Sequence, residues 1–252
     1  MSDAIKVERD GKVLVVTFNR PEKKNALTGE MYVALNAALQ TASDDDGIAV
    51  VLIAGSGGVF TAGNDINDFA QRAAGGGGVS DSPASAFIRA LARFEKPLVA
   101  AVDGLAVGIG TTLCFHCDLV YASPAARFKM PFVDLGLVPE AGSSRLAVQR
   151  FGWAKAAQYL LLAESFDAEA AEKLGFVNAI VADEALLAHA LEKARVLAAK
   201  PRNALLTTRR LMRGDGQPLY DQMEAELQAF AQAMRSKEAM AAFMAFLARP
   251  KG

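Results

Sequence analysis

Short, mostly apolar runs that alternate with helical segments constrain the fold of this chain more than any other feature. The runs are Val13–Phe18, Ala49–Ala54, Leu98–Val102 and Asp118–Ala122. Runs of this length, rich in β-branched residues and bounded by turn residues, are typical of strands buried on both faces. Strands that alternate with helices predict an α/β architecture in which helices cover a sheet.

The first helix is predicted between the first two runs. Thr28 is a suitable N-cap, because its hydroxyl can accept a hydrogen bond from a first-turn amide. The apolar residues that follow it keep helical spacing: Met31, Leu35, Ala38 and Leu39. A buried helix is also expected over residues 111–120, which are largely apolar.

Beyond about residue 143, strand signals become rare and helical periodicity takes over. The stretch 217–247 carries apolar residues at helical spacing: Leu219, Met223, Leu227, Phe230, Met234, Met240, Phe243 and Leu247. A helical tail this apolar must dock, either on the chain's own core or on a neighbouring subunit.

Composition and charge exclude several classes of protein. With 52% apolar residues, 22% charged residues and a formal net charge of -1, the chain has no basic excess that would attract nucleic acid. The first residues lack the pattern of a secretion signal, and no apolar run reaches the roughly 20 residues that span a bilayer. The last four residues do not match a peroxisomal address. We therefore expect a cytoplasmic protein that binds neither nucleic acid nor membranes.

Neither a metal site nor a nucleophilic triad is predicted. Cys114 and Cys117 have the spacing of a redox pair or half a zinc site, but there is no second cysteine pair, and buried packing is expected instead. His116 and His189 are the only histidines, which argues against a Ser-His-Asp triad. The run 44–46 of three aspartates is expected to be a solvated turn.

Two glycine-bearing loops, 60–66 and 103–111, follow strand ends and are the best candidates for a ligand site. Glycines beside a strand end let backbone amides face a ligand, and a helix N-terminus in the second loop adds positive dipole. The glycine spacing of the second loop does not fit a dinucleotide-binding loop. Two such loops fit paired amides aimed at one oxygen, an oxyanion hole. The glycine run 75–78 is expected to be a flexible connection.

Several ordered motifs extend over nearly the whole chain. They are Asn19-Arg20-Pro21, Lys24-Asn25-Ala26-Leu27, Phe60-Thr61-Ala62-Gly63-Asn64-Asp65-Ile66, Lys96-Pro97-Leu98-Val99-Ala100-Ala101-Val102-Asp103-Gly104, Cys117-Asp118-Leu119-Val120-Tyr121-Ala122 and Leu135-Gly136-Leu137-Val138-Pro139. In these motifs and their spacing the chain resembles the crotonase family, also called the enoyl-CoA hydratase/isomerase family.

The resemblance implies an α/β fold, a spiral of ββα repeats followed by a C-terminal helical region. The spiral would occupy residues 1–195 and bind acyl-CoA; the helical region, 196–252, would serve oligomerisation and cap the active site. The resemblance also implies a homotrimer or a dimer of trimers. The substrate would be an acyl-CoA thioester, with no cofactor beyond its CoA and no metal.

The resemblance further implies roles for individual residues. The backbone amides of Asn64 and Ile109 match the two oxyanion-hole donors, although Ile109 replaces a usual glycine. Six residues match positions that hold the adenine and pantetheine portions of CoA: Lys24, Ala26, Leu27, Ala62, Asp65 and Ile66. Among these, Asp65 is also expected to have a structural role. Phe243 matches an aromatic that often reaches the ligand of a neighbouring subunit.

Departures from the family pattern indicate the reaction. Hydratases of the family carry glutamates at the positions of Thr112 and Phe132, so the pair of carboxylates that holds water is missing. Glu140 instead matches the single catalytic glutamate of the 3,2-enoyl-CoA isomerases, which move a double bond during fatty acid oxidation. One carboxylate can remove a proton and return it. We expect Phe132, Leu137 and Val138 to raise the pKa of Glu140 by desolvation.

Three alternatives stay open at this point. Another crotonase activity, hydration or thioester hydrolysis, is possible if Glu140 or a loop acid such as Asp68 positions water. A member of a different class would bind a CoA ligand or RNA without turnover, and the absence of a basic stripe argues against RNA. Glu140 itself could be a surface residue at a helix entry, where acids are favourable. The acyl chain length is not predictable, since the low-complexity loop 69–86 is expected to shape the tail site.

Overall fold

The computed structural model describes residues 3–66 and 81–247. The strands are β1 Ile5–Asp10, β2 Val13–Phe18, β3 Val50–Gly55, β4 Leu98–Val102, β5 Leu105–Val107, β6 Leu119–Ala122, β7 Arg127–Lys129, β8 Phe166–Asp167 and β9 Ala179–Ile180. The α-helices are α1 Gly29–Asp44, α2 Pro83–Arg93, α3 Ile109–Thr112, α4 Ser143–Phe151, α5 Trp153–Leu161, α6 Ala168–Lys173, α7 Asp183–Ala198, α8 Arg202–Arg213, α9 Gln217–Met234 and α10 Lys237–Leu247.

The strands form two sheets. The larger has the order β1-β2-β3-β4-β6-β9 and the smaller the order β5-β7-β8. In the larger sheet only β1 and β2 pair antiparallel, with Ile5 opposite Phe18; β2, β3, β4, β6 and β9 are parallel. The chain passes from β4 to β5 to α3, and then from β6 to β7 towards α4, so successive turns place one strand in each sheet before a helix. The predicted spiral of ββα turns is confirmed.

Sequence periodicity located the central strands well. The predicted runs 13–18 and 98–102 are strands over their full length, and the other two begin one residue later than predicted. Strand β1 was missed, because most of its side chains are exposed and it has no apolar run. The helix predicted over 111–120 is wrong in extent: helix α3 is followed by a 3-10 helix, Leu113–His116, and β6 begins at Leu119.

Both faces of the central part of the larger sheet are covered, which explains why its central strands are continuous apolar runs. One face packs in a large core with helix α1, whose buried residues include Met31, Leu35, Ala38 and Leu39 as predicted. The amide of Met31 donates to the Thr28 hydroxyl, which confirms the predicted N-cap. The other face packs against α7 through Leu186, Ala190 and Ala194.

The apolar C-terminal stretch forms two helices, α9 and α10, and docks on the chain's own core. Its buried residues are Met223, Leu227, Phe230, Met234, Ala239 and Phe243. Met240 and Met244 on α10 are left exposed. The predicted division at residue 195 lies inside α7, which ends at Ala198; the division of the chain into two units stays a prediction.

Two further findings concern the described residues alone. None of their helices combines the length and the apolar character needed to cross a membrane. In the aspartate run 44–46, Asp45 bonds Arg9 and Asp46 bonds Arg202. The described residues contain no group of metal-ligating side chains. The glycine run 75–78, Asp68 and residues 69–80 of the tail-site loop lie outside the described residues.

Candidate active site

The two glycine-bearing loops lie side by side, as expected. The amide of Thr61 donates to the carbonyl of Leu105 at 2.8 Å, and the amide of Val107 donates to the carbonyl of Thr61 at 3.0 Å. Gly63 has φ +89, and a Cβ there would lie 2.8 Å from the carbonyl oxygen of Val107. Glycine is therefore required at residue 63 by both the backbone conformation and the close approach of the second loop.

The amides of Asn64 and Ile109 are available for a ligand. Around Asn64 the bonds to Leu27 are made by its neighbours: the Leu27 amide donates to Gly63, and the Asp65 amide donates to Leu27. Ile109 is the first residue of α3, where amides have no partner inside the helix. Neither amide donates to an acceptor in residues 3–66 and 81–247. Two backbone donors on adjacent loops are therefore available, and their convergence on one oxygen stays a prediction.

A hydroxyl that the sequence analysis missed holds the side chain of Asn64. The hydroxyl of Tyr32, on helix α1, donates to Asn64 Oδ1 at 2.5 Å. Tyr32 is 3% exposed, and a buried phenol needs such a partner. Its position one residue after Met31 gave no signal, because a tyrosine beside the apolar face of a helix is expected to pack rather than to bond a loop.

The segment around Lys24 and the loop 62–66 are joined by short bonds. The Ala62 amide donates to the Lys24 carbonyl at 2.9 Å. Arg20 Nη1 donates to Asp65 Oδ2 at 2.7 Å and to the Ala26 carbonyl at 3.1 Å. Asp65 thus has the structural contact that was expected of it, and the Lys24 side chain is exposed.

The predicted CoA-binding residues fall into two places. Lys24, Ala26, Leu27, Ala62, Asp65 and Ile66 lie together on the two joined segments. Phe243 lies on α10, buried in the chain's own core. Its role at a neighbouring subunit stays a prediction.

Glu140 is buried, with only 5% of its surface exposed. Its Oε1 accepts a hydrogen bond from the hydroxyl of Thr112, and its Oε2 has no partner among the described residues. Burial raises the pKa of Glu140 to about 8, the hydrogen bond from Thr112 opposes the rise, and the charge of Glu226 adds to it. The predicted direction of the pKa is confirmed. Phe132 and Leu137 are buried in the large core, and Val138 packs against it; their part in desolvating Glu140 stays a prediction.

Thr112 connects Glu140 to the second loop. Thr112 lies on α3, one helical turn after Ile109, and is fully buried. The carboxyl group of Glu140 therefore sits beside the short helix that presents the Ile109 amide. Thr112 and Phe132, where the resemblance implies hydratase carboxylates, carry a hydroxyl bonded to Glu140 and a buried ring.

Glu226, on helix α9, is a second buried carboxylate that the sequence analysis missed. Its Oε2 accepts from the Gly142 amide at 2.6 Å, and its Oε1 accepts from the amide and the hydroxyl of Ser144. The first-turn amides of α4 are thus capped by Glu226. The alternative in which Glu140 is a surface residue at this helix entry is wrong. A signal existed, since a glutamate three residues after Met223 and four before Phe230 lies on the apolar face of a helix.

The remaining candidates from the sequence have packing roles. Cys114 and Cys117 are buried free thiols, and burial raises the pKa of Cys117 to about 12, which keeps it protonated. His116 is 2% exposed, and burial lowers its pKa to about 4. His116 is therefore neutral at pH 7, and its Nε2 lies 2.8 Å from the carbonyl oxygen of Ala141.

Known proteins are similar to this chain in sequence. The sequence profile of the enoyl-CoA hydratase/isomerase family matches residues 8–251. Enoyl-CoA delta isomerase 2 of Rattus norvegicus is 34% identical over 98% of this chain and 64% of its own length, so this chain spans less than two thirds of the rat protein. The 2,3-dehydroadipyl-CoA hydratase of Escherichia coli is also 34% identical, over 84% of this chain and 82% of its own.

A solved structure is similar in both sequence and fold. Pseudomonas aeruginosa OdaA superposes with a TM-score of 0.94 and 43% identity, covering 98% of this chain and all of its own. The match of the profile to almost the whole chain and the agreement of the folds have one explanation: the chain is a member of the enoyl-CoA hydratase/isomerase family.

Proposed function

We propose that this protein is a 3,2-enoyl-CoA isomerase, which converts 3-enoyl-CoA to trans-2-enoyl-CoA. One observation carries the proposal. Glu140, in the described part of the site, is a carboxylate with one oxygen left open, and the hydroxyl of Thr112 stands at one of the two positions where the resemblance implies a hydratase glutamate. Both oxygens of the other buried carboxylate, Glu226, are occupied by amides and a hydroxyl.

The reaction needs one proton carrier and a place for negative charge. Glu140 Oε2 removes a proton from C2, and the electron pair of that C–H bond moves to give a dienolate with its charge on the thioester oxygen. The amides of Asn64 and Ile109 donate to this oxygen; one such donor contributes roughly 2.7–4 kcal/mol. The same carboxyl group then returns the proton to C4 as the double bond settles between C2 and C3.

Burial suits Glu140 to both steps. A carboxyl group with a pKa of about 8 is a stronger base than an exposed glutamate and is still an acid near neutral pH. Proton transfer in both directions is efficient when the pKa of the carrier is close to the working pH. Glu140 is only 5% exposed, so little water can reach it to compete for protonation of the dienolate.

The remaining parts of the proposal concern binding and assembly. The substrate is an acyl-CoA thioester held by Lys24, Ala26, Leu27, Ala62, Asp65 and Ile66, with Phe243 contributing from a neighbouring subunit. We also propose a trimer or a dimer of trimers, in which the exposed Met240 and Met244 on α10 offer apolar contacts to a neighbouring subunit. We propose a cytoplasmic enzyme that needs neither a metal nor a cofactor beyond the CoA of its substrate.

The relatives support the family more strongly than the reaction. The rat relative is named an isomerase and the Escherichia coli relative a hydratase, and both are 34% identical to this chain. Hydration is therefore the second candidate. A protein that binds acyl-CoA without turnover is the third candidate, to be separated from both by an assay.

The first experiment is turnover of 3-hexenoyl-CoA and crotonyl-CoA by the wild type and Glu140→Gln. We expect the wild type to convert 3-hexenoyl-CoA to the conjugated isomer without change of mass, and Glu140→Gln to be inactive. Glu224→Gln is the matched control, since Glu224 is an α9 glutamate paired with Arg89 at the surface. Addition of water to crotonyl-CoA at a comparable rate would replace the isomerase proposal by hydration.

A labelled substrate tests the single proton carrier directly. With 3-hexenoyl-CoA deuterated at C2, one carboxyl group that performs both transfers should deliver part of the deuterium to C4 in ordinary water. Product with no deuterium at C4 would mean that a second group, or free exchange with solvent, supplies the proton.

A further inference from the structure

The turn that carries Glu140 has an unfavourable backbone. Ala141 and Gly142, which follow Glu140, both have positive φ, 57 and 71. The left-handed region is disfavoured for residues with a Cβ, so Ala141 does not adopt this conformation by local preference. Tertiary contacts must therefore stabilise the turn, and they thereby fix the position of the Glu140 Cα atom.

Two buried groups hold the peptide bond between Ala141 and Gly142 from opposite ends. His116 Nε2 is 2.8 Å from the carbonyl oxygen of Ala141, and because a carbonyl only accepts, Nε2 carries the proton. The amide of Gly142 donates to Glu226 Oε2 at 2.6 Å. His116 belongs to the 3-10 helix that continues from α3, and Glu226 belongs to α9, so the peptide is clamped between distant parts of the chain.

The same clamp reaches the partner of Glu140. His116 lies four residues after Thr112, whose hydroxyl donates to Glu140 Oε1. The carbonyl of Glu140 accepts from the Ser143 amide at 3.0 Å, which closes the turn locally. Thr112 therefore contacts the carboxyl group of Glu140, and His116, in the same segment, contacts the backbone turn that follows Glu140.

The clamp also has an electrostatic side. Burial is the largest cause of the raised pKa of Glu140. The hydrogen bond from the Thr112 hydroxyl lowers this pKa, and the negative charge of Glu226 raises it further. Facing Glu226 are the amides of Gly142 and Ser144 and the Ser144 hydroxyl. Facing His116 are the guanidinium groups of Arg209 and Arg213, which disfavour its protonated form. Removing the charge of Glu226 should make Glu140 easier to ionise.

We propose that Glu226 and His116 are positioning residues that clamp the Ala141–Gly142 peptide and thereby set the location of the Glu140 carboxyl group. This proposal rests on the proposed function, in which that carboxyl group carries the proton. Neither residue touches the reacting atoms; both act through the turn. A purely structural cap of α4 would instead stabilise the fold without lowering kcat in Glu226→Asp, which keeps the charge.

The test replaces each end of the clamp and measures both kcat and the titration of Glu140. For Glu226→Gln we expect kcat on 3-hexenoyl-CoA to fall about tenfold or more while KM changes less than about twofold, because a misplaced group loses rate rather than binding. The ascending limb of the kcat/KM profile should move to lower pH. Glu224→Gln, the same change on the same helix, should alter neither quantity.

Further variants separate charge from position. Glu226→Asp keeps the charge but shortens the reach, so kcat should fall while the limb stays near its wild-type pH. His116→Leu removes the donor to Ala141 and should lower kcat, whereas His116→Gln keeps an N–H donor and should restore most of it. If Glu226→Gln fails to fold, Glu226→Asp and the His116 pair decide the proposal.

An infrared titration keeps this proposal separate from the proposed function. The carboxyl band of Glu140, assigned by its absence in Glu140→Gln, should titrate at lower pH in Glu226→Gln than in the wild type, with no substrate present. His116 is neutral at pH 7, so His116→Leu releases the turn without removing a charge. A wild type that lacks isomerase activity, but whose Glu140 band moves in His116→Leu as well, would overturn the function and leave the clamp. An active wild type whose rate, pH profile and infrared titration are untouched by Glu226→Gln and by His116→Leu would overturn the clamp.

Discussion

The turn at Glu140 and the middle of helix α9 at Glu226 each bury a glutamate to the same extent, 5% exposed. Burial raises the pKa of both. They differ in their partners: Glu140 accepts one hydrogen bond, from a hydroxyl, whereas Glu226 accepts from two amides and a hydroxyl. Hydrogen bonds to a carboxylate favour its charged form and fix its place.

Burial alone does not make a carboxyl group a proton carrier, since both glutamates are equally buried. Glu226 has its oxygens occupied, so protonation would break the cap of α4, and we expect it to remain charged. Glu140 has one oxygen without a partner in the described residues, so gaining or losing a proton breaks little. The group with fewer partners is therefore the one suited to chemistry.

The largest expected effect is on turnover and separates the two glutamates. Glu140→Gln should lower kcat on 3-hexenoyl-CoA by about 10²- to 10⁴-fold, because a general base is lost. Glu226→Gln should lower it by only about tenfold, because the base is displaced but present. Steady-state kinetics at pH 8 measure both. Equal losses of kcat in the two variants would contradict the assignment of Glu140 as proton carrier and Glu226 as positioning residue.

The next effect is on the free energy of unfolding. As pH rises, Glu140→Gln should gain stability relative to the wild type, whereas Glu226→Gln should be less stable than the wild type throughout. Because the folded pKa of Glu140, about 8, lies above its ordinary 4.5, the native state keeps a proton that the unfolded chain has lost. Its contribution to stability is complete below pH 4.5 and is lost as pH rises through 8. From pH 6 to pH 9 this loss amounts to about 3 kcal/mol in the wild type.

Urea unfolding at pH 6 and pH 9 tests this prediction. Glu140→Gln has no proton to lose, so its stability relative to the wild type should rise over this interval. Glu226→Gln should be less stable than the wild type at both pH values, by about 1–3 kcal/mol, because buried donors lose their acceptor. A Glu140→Gln variant that gained nothing at pH 9 would mean that Glu140 is already charged at pH 6.

A smaller effect comes from the one partner of Glu140. Thr112→Val removes the hydroxyl that donates to the carboxylate, so the pKa of Glu140 should rise further and kcat/KM at pH 7 should fall about tenfold. The ascending limb should move to higher pH, opposite to its movement in Glu226→Gln.

Thr111→Val is the matched control for this substitution. The Thr111 hydroxyl is equally buried but donates to the Ala106 carbonyl, so its loss should leave the pH profile in place. A kcat/KM profile from pH 6 to pH 10 that did not move in Thr112→Val would show that the Thr112 hydroxyl does not affect the pKa of Glu140.

The smallest effect concerns one of the partners of Glu226. Ser144→Ala removes a hydroxyl but leaves the Ser144 amide, so Glu226 keeps two donors. We expect a stability loss of about 1 kcal/mol and a kcat within about twofold of the wild type. Thermal unfolding and steady-state assays measure these. A tenfold loss of kcat here would show that the clamp depends on the hydroxyl as much as on the amides.

Sequence reasoning reached the elements whose signals are local. The runs 13–18 and 98–102 became strands without adjustment, since both faces of the sheet are covered and every residue had to be apolar or small. Strand β1 failed for the opposite reason, because an edge strand with one buried end has no periodic pattern. The cap at Thr28 was predictable since it bonds a residue three positions away.

The candidate site was predictable in its parts and not in its connections. The loop 60–66, Ile109 and Glu140 were found from motifs along the chain. Tyr32 and Glu226 were missed, because they act on residues 32 and 84 positions away, respectively. No pattern along the chain states that a glutamate on the apolar face of α9 will meet the first turn of α4.

Residue types and their spacing already specify the alternation of strands and helices, membership of the family, and a hydroxyl and a ring at Thr112 and Phe132, where the resemblance implies hydratase carboxylates. These are properties of residue type and spacing, which a linear pattern records. Tertiary structure alone decided that Glu140 is buried against Thr112 and that Glu226 occupies the cap. The physical reason is that a carboxyl group's pKa depends on the solvent and charges it loses or meets on folding.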